Sequence, residues 1–290
     1  MKRIVTIQDI SCVGKCSLTV ALPIISAMGI ETAVIPTAVL STHTAFSEFT
    51  FCDLTPEIRP ITQHWSREKF HFDAIYTGYL GSFQQLELVS EFIDEFKRAE
   101  NLIFVDPVMG DFGRLYSGFT PEFAKAMARL CGKADIIAPN LTEAAFMLGE
   151  DYLGSGYSRE DIELTLRALC RLGAKTSVLT GISFSPDELG VMGYDSERDA
   201  FFSYFNRRIN ADYHGTGDVF ASACVGALMN DLSVEESLKI AADYTALSIQ
   251  ETIDAPDGRW YGVQFESVIP QLLEMMSRAK CGQNATRCTN

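Results

Sequence analysis

Asp212-Tyr-His-Gly-Thr-Gly-Asp218 runs directly into Val219-Phe-Ala-Ser-Ala-Cys-Val-Gly-Ala-Leu-Met229. Two glycines flank a threonine just before a segment of small and apolar residues. That order predicts a Gly-rich turn opening a helix buried on most faces. Glycine lets the backbone come close to a bound group, and first-turn amides have no partner inside the helix. With the helix dipole they make a site for an anion such as a phosphate. Asp218 stands at the edge of that site, where it can take a proton from an attacking hydroxyl. A plainer reading makes Gly-Thr-Gly a tight turn and Asp218 a residue that favours the helix N-terminus.

Outward from this stretch, strand-like runs alternate with helical patterns. Arg3–Gln8, Glu31–Pro36, Asn101–Asp106, Ala134–Pro139 and Thr176–Thr180 read as strands, and Ala74–Leu80 as a strand followed by a glycine turn, most of them apolar. Helical patterns fall at Leu18–Met28, Phe83–Arg98, Pro121–Cys131, Asn140–Leu148, Ser158–Leu172, Val234–Thr252 and Phe265–Arg278. Leu189–Tyr194 and Ala200–Phe205 read as a hairpin. Asp9–Lys15 reads as a loop at the carboxyl end of the first strand. Val39–Phe46 opens a polar and aromatic stretch that either crosses the sheet edge or forms a small flap. Near-continuous apolar strands between helices predict an α/β fold, a mainly parallel central sheet with helices on both faces. No linker, repeat or low-complexity segment divides the chain, so residues 1–279 read as one domain. The polar end, 280–290, reads as a frayed, disordered tail.

Composition narrows the function. A formal charge of −14 over 290 residues argues against nucleic acid or an anionic membrane as partner. An anionic substrate then needs local help from helix N-termini or a metal ion. No run approaches a membrane span, and the N-terminus lacks a signal-peptide core. Eight scattered cysteines, several inside apolar segments, fit free thiols in a reducing compartment, hence a cytoplasmic protein. Cys12 and Cys16 have no second pair to complete a metal site.

In open α/β sheets, ligands bind beyond the carboxyl ends of the strands. Here that edge gathers Asp9, Gly78-Tyr79, Asp106, Asp111, Asn140, Glu143 and Thr180-Gly181. Asp106 and Asp111 can hold or orient water around Mg²⁺, which prefers carboxylates and keeps several waters. Asn140-Leu-Thr-Glu143 fits a capping box, a role compatible with ligand binding at the same helix start. His43 lacks a companion for a metal site or a nucleophile triad and reads as a loop residue. Neither a Gly-x-Ser-x-Gly elbow, a Walker P-loop nor a dinucleotide fingerprint is present.

Taken together, several motifs resemble the ribokinase superfamily and, within it, the pyridoxal (vitamin B6) kinase branch. They are Thr6-Ile-Gln8 with Val13-Gly14, Ser41-Thr-His-Thr44, Tyr76-Thr-Gly-Tyr79-Leu-Gly81, Asp106-Pro-Val-Met-Gly-Asp111, Pro139-Asn140 with Glu143, and Gly215-Thr-Gly-Asp218. The resemblance implies a ribokinase-like three-layer sandwich, a homodimer, and transfer of the ATP γ-phosphoryl group to the hydroxymethyl of pyridoxal, pyridoxamine or pyridoxine. It implies Asp218 as base and the amides of Gly215, Thr216 and Gly217 as anion hole. Asp106, Asp111, Tyr116, Asn140, Glu143 and Thr180 are implied on the ATP and Mg²⁺ side, with Asp106 and Glu143 reaching the metal through water. A monovalent cation is a further candidate in the implied cofactor set. Asp9, Thr44 and Tyr79 are implied around the pyridine ring. Many relatives carry Ser where Asp9 stands, their loop before Val13-Gly14 is longer, and Phe49 stands for an aromatic further along the flap. An acid at position 9 favours pyridoxamine if it faces the aminomethyl group. The alternatives are a hydroxymethylpyrimidine kinase, against which Tyr79 and an acid at 218 speak, and a non-catalytic vitamer-binding protein, which would not need Asp218, Asp106 and Glu143 together.

Overall fold

The structure is a computed structural model that describes residues 1–256 and 258–287. The chain begins with β1 (Arg3–Val13), α1 (Leu18–Ala27), β2 (Glu31–Thr42), β3 (Phe51–Asp53) and α2 (Thr55–Arg67). It continues through β4 (Ala74–Thr77), α3 (Phe83–Phe96), β5 (Leu102–Val105), β6 (Gly110–Asp111), β7 (Arg114–Leu115) and α4 (Pro121–Cys131). Then come β8 (Ile136–Ile137), α5 (Leu141–Leu148), α6 (Arg159–Cys170), β9 (Thr176–Ile182), β10 (Glu188–Asp195) and β11 (Ala200–Arg207). The chain closes with α7 (Thr216–Met229), α8 (Val234–Asp254), a 3-10 turn at Glu266–Val268 and α9 (Ile269–Arg287).

Nine strands form one sheet in the order β11-β10-β9-β8-β5-β4-β1-β2-β3. From β9 to β2 every neighbour is parallel, while β3, β10 and β11 add antiparallel edges. Side chains alternate across the strands and so divide the core in two. Val5, Ile7, Ile75, Ile103 and Val105 face α2 to α6. Ile4, Ala74, Tyr76 and Phe104 face α1, α7, α8 and α9. This is the three-layer arrangement expected of near-continuous apolar parallel strands, which must be covered on both faces.

The structure departs from or sharpens the sequence reading at four places. Asp9–Lys15 is not a loop from its start, because β1 continues through Val13 paired with an equally extended β2. The register slips at Asp9, Gln8 facing Pro36 and Ile10 facing Val39. Pro36 has no N–H to give the ladder, which suits an irregularity there. The stretch after Val39 stays in β2 to Thr42 and turns back into β3, a small edge flap. Helix α2 escaped the sequence reading because Pro56 and Pro60 interrupt its pattern. Finally, α9 continues through Arg287, so the chain is helical past Lys280; 288–290 lie outside the described residues. None of the described helices is long and apolar enough to cross a membrane.

Candidate active site

The turn into α7 is built as its sequence suggests. Gly215 caps the helix in the left-handed region, φ 80°, and no side chain caps the first turn. A Cβ on Gly215 would lie 2.0 Å from the Lys15 carbonyl oxygen, so the position demands glycine twice over. A Cβ on Gly217 would meet nothing within 4 Å; this side of the turn is open. The facing loop is strained, with Lys15 and Ser17 both at φ 51°. Asp218 lies in the first turn, partly buried. Burial pushes its carboxyl up to about 7, opposed by a backbone hydrogen bond from Ser17 and reinforced by the charge of Asp9.

On one side of Asp218 stands Asp9, buried at the β1 irregularity. Its Oδ2 accepts the Ser11 hydroxyl at 3.1 Å. Burial raises its pKa, with hydrogen bonds from Ser17 and Ser11 acting the other way. Tyr79, just past β4, has its phenol raised by burial and then by Asp9, which places the two together. Its ring tilts against Phe119 at 5.6 Å. Cys16 completes this wall. Burial and the neighbouring Asp218 push its thiol up to about 12, so it is a neutral thiol beside the carboxylates.

The other side belongs to the loops after β5 and β8. Burial raises Asp106 well above the usual carboxylate range, and Glu143 and Asp218 add to it. Burial likewise pushes Glu143 up to about 8, against backbone hydrogen bonds. Glu143 Oε1 accepts the Met109 amide at 3.1 Å and Oε2 accepts the Asn140 amide at 2.8 Å. Asn140 Oδ1 accepts the Glu143 amide at 2.9 Å, completing the capping box, and its Nδ2 donates to the Gly110 carbonyl at 2.8 Å. Thr180 is tied in by a bridge to Asn140. Phe112 and Gly113, both at positive φ, turn the β6–β7 hairpin, and the Gly113 amide donates to Thr142 Oγ1 at 2.9 Å. That hairpin carries Asp111. Burial raises Asp111, and its neighbours are Asp212 and His214. Tyr116 follows, its amide on the Met109 carbonyl at 2.9 Å. Its phenol is raised by burial, then by Glu143, Asp111, Asp106 and Asp218, so it leans over the whole acidic group.

The donor set can be tested against a metal. Among the described residues no three His, Cys, Asp or Glu side chains gather into a cage. Both Glu143 oxygens are already engaged by amides, and burial pushes the paired acids towards neutrality. This fits an ion that takes few protein ligands and keeps waters and phosphate oxygens, as Mg²⁺ does.

Thr44 stands exposed in the turn after β2, and it is His43 beside it that turns inward. The Ala45 amide donates to His43 Nδ1 at 3.2 Å, which leaves Nε2–H to donate to the Tyr261 carbonyl at 2.9 Å. His43 is therefore the neutral Nε2–H tautomer. Its ring lies 4.6 Å from His214 and 4.9 Å from Phe46, and Phe46 packs on Trp260 at 4.6 Å. His214, distant in sequence, is brought beside His43 by the fold, and no metal-holding group forms there among the described residues. Ser17 and Trp260 escaped the sequence reading, and Cys16 was weighed there only as a metal ligand, since no local pattern marks a residue that meets the site from a distant segment.

A family profile described as phosphomethylpyrimidine kinase matches residues 22–261. The pyridoxine kinase of Bacillus subtilis is 31% identical over 186 residues, 62% of this chain and 65% of that one. A Bacteroides thetaiotaomicron protein described as a phosphomethylpyrimidine kinase, solved with pyridoxal, superimposes with a TM-score of 0.89. It is 38% identical, over 93% of this chain and 95% of that one. Pyridoxal kinase from Lactobacillus plantarum gives a TM-score of 0.86 at 31% identity, over 95% of this chain and 98% of that one.

Proposed function

The chain belongs to the phosphomethylpyrimidine kinase family, and we propose that it is a vitamin B6 kinase. It transfers the γ-phosphoryl group of ATP to the 5′-hydroxymethyl group of pyridoxal, pyridoxamine or pyridoxine. The observation that carries this reading is Asp218, a base with a pKa of about 7 set between the Asp9–Tyr79 wall and the Asp106–Glu143 group. The related structure solved with pyridoxal supports the acceptor.

In this reading the acceptor ring lies on the Asp9, Thr44 and Tyr79 side, its hydroxyl towards Asp218. A base is most effective when its pKa lies near the working pH. The hydroxyl oxygen bonds to the γ-phosphorus, the bond to the β-phosphate oxygen breaks, ADP leaves, and the hydroxyl proton passes to Asp218. The transition state is loose, so positioning and charge stabilisation dominate. The open amides of Gly215, Thr216 and Gly217 receive the transferring anion. Asp106 and Glu143 would hold Mg²⁺ through its waters, and there it would supply positive charge to the phosphates. Asn140 and Thr180 shape the nucleotide side, Asp111 flanks it, and Tyr116 closes over the phosphates. A homodimer, a monovalent cation beside Mg²⁺ and a cytoplasmic setting belong to the same reading; the seven described cysteines are all free, which suits a reducing compartment.

The test is ADP formation with each vitamer and with hydroxymethylpyrimidine as acceptors. B6-dependent turnover is expected. Activity on hydroxymethylpyrimidine alone would move the chain to the other branch of its family. Vitamer binding without ATP consumption would make it a binding protein.

A further inference from the structure

The loop between β1 and α1 faces the catalytic turn in a strained conformation. Lys15 and Ser17 both sit at φ 51°, and Ser17 has ψ −132°, a combination that glycine enters freely and serine does not. Ser17 is buried and heads α1, where a serine ordinarily caps the helix with its hydroxyl. It makes no such bond. Its hydroxyl goes to Asp9 instead, and its amide goes to Asp218. One residue thus reaches both acids on the acceptor side, with a left-handed backbone and without capping its own helix.

Strain of this kind persists only where the surroundings impose it. Here the restraint passes through Lys15. Its carbonyl lies against Gly215, and on the other side a Cβ on Gly262 would lie 2.6 Å from Lys15 Cβ. The chain leading to the 3-10 turn therefore packs directly on the loop. The Lys15 ammonium reaches Glu266 Oε2 at 2.6 Å and stands 5.5 Å from the centre of the Phe265 ring. Fully exposed ion pairs contribute little, but the Lys15 side chain is only 14% exposed, so this pair is partly shielded from water.

We propose that the Lys15–Glu266 ion pair is a latch that holds the strained loop down on α7, so that the Ser17 amide keeps the Asp218 carboxylate aimed at the acceptor hydroxyl. Lys15, Ser17 and Glu266 are then positioning residues. Released, the loop relaxes towards negative φ and the amide turns away from Asp218. The plainer alternative is a pair that only fastens the C-terminal turn to the sheet, and it leaves the base untouched.

The inference rests on the proposed role of Asp218, but its first test does not. In ligand-free protein at about pH 8, above the Asp218 pKa of about 7, the Ser17 amide proton should resonate downfield, as a donor to a carboxylate does. Asp218→Asn should move that resonance upfield, and Glu266→Ala should move it the same way. A resonance that ignores Glu266→Ala would overturn the latch, whatever reaction the protein performs. The second test is kinetic. Glu266→Ala and Lys15→Met should each lower kcat about tenfold with KM for ATP unchanged, since only the alignment of the base is lost. The double variant should fall no further than either single one, because both open the same latch. Lys15→Arg, which keeps the charge, should retain most of the wild-type kcat. A lower melting temperature with kcat intact, or losses that multiply, would reduce the pair to a fastening. Should Glu266→Ala not fold, Glu266→Gln, which keeps the shape and loses the charge, takes its place in both measurements. Failure of Asp218→Asn to slow turnover would reject the base and leave the Ser17 resonance to decide the latch.

Discussion

Asn140 and Glu143 cap each other: Asn140 Oδ1 accepts the Glu143 amide at 2.9 Å, and Glu143 Oε2 accepts the Asn140 amide at 2.8 Å. With its other oxygen on the Met109 amide, Glu143 fixes the loop after β5 to the start of α5. A single acid therefore serves fold and site together. Glu143→Gln places an amide NH₂ where an acceptor is needed, so a stability loss of about 1–2 kcal/mol is expected. If Glu143 also orients metal-bound water, the Mg²⁺ requirement should rise several-fold as well. A Mg²⁺ titration beside a melting curve separates the two, and an unchanged titration would confine Glu143 to capping.

The buried acids also set a sign for stability against pH. Glu143 is held at about 8 and Asp218 at about 7, against ordinary values near 4 in an unfolded chain. Between those limits the folded state binds more protons than the unfolded one, so stability falls as pH rises. It is complete below about pH 4 and lost progressively through pH 7 to 8. Ligand-free protein should therefore melt lower at pH 8.5 than at pH 6, a difference reduced in Glu143→Gln. A melting temperature that climbs over this interval would contradict the burial of these carboxyls.

Asp218→Asn keeps the shape of the turn but cannot accept the hydroxyl proton. Its kcat should fall by roughly 10²–10⁴, with substrate binding little changed. In the wild type, kcat/KM should rise with pH through about 7, where Asp218 loses its proton. Turnover near the wild-type level in the variant would remove Asp218 from the chemistry.

The two glycines of the turn should part company. Gly215→Ala meets both a left-handed φ and the Lys15 carbonyl, and about 3 kcal/mol of stability should be lost. Gly217→Ala meets no atom of the protein and should fold normally. Where a phosphate is to approach the amides, its added methyl intrudes, so KM for ATP should rise while the melting curve stays put. Equal stability losses in both would mean that the turn is structural only.

Asp9 concerns the acceptor. A buried carboxylate prefers a hydrogen-bond donor or cation, and pyridoxamine offers an aminomethyl group where pyridoxal has a carbonyl. Facing that group, Asp9 should favour pyridoxamine about tenfold in kcat/KM, a difference near 1.4 kcal/mol. Asp9→Ser should narrow the gap. Equal rates for the vitamers in both proteins would dismiss the idea.

Local chemistry made much of this protein legible from its sequence. Helix α4 was read to its exact ends, and the Asn140 capping box and the Gly215 turn were read correctly, because caps and turns depend on neighbouring residues. The alternation of apolar strands and helices carried the layered sheet for the same reason. Other features were decided by pairing between distant segments. Strand β1 runs past Asp9 only because β2 extends beside it to Thr42, and α2 forms despite Pro60, anchored by Ile58 in the core. The protonation of Asp218 and Glu143 is a property of burial, which no local pattern encodes. The meeting of His43 with His214, and of Lys15 with Glu266, is likewise set by the fold. Neighbours in sequence fix a helix end through hydrogen bonds a few residues long, whereas a site assembled from separate strands exists only once the sheet has closed.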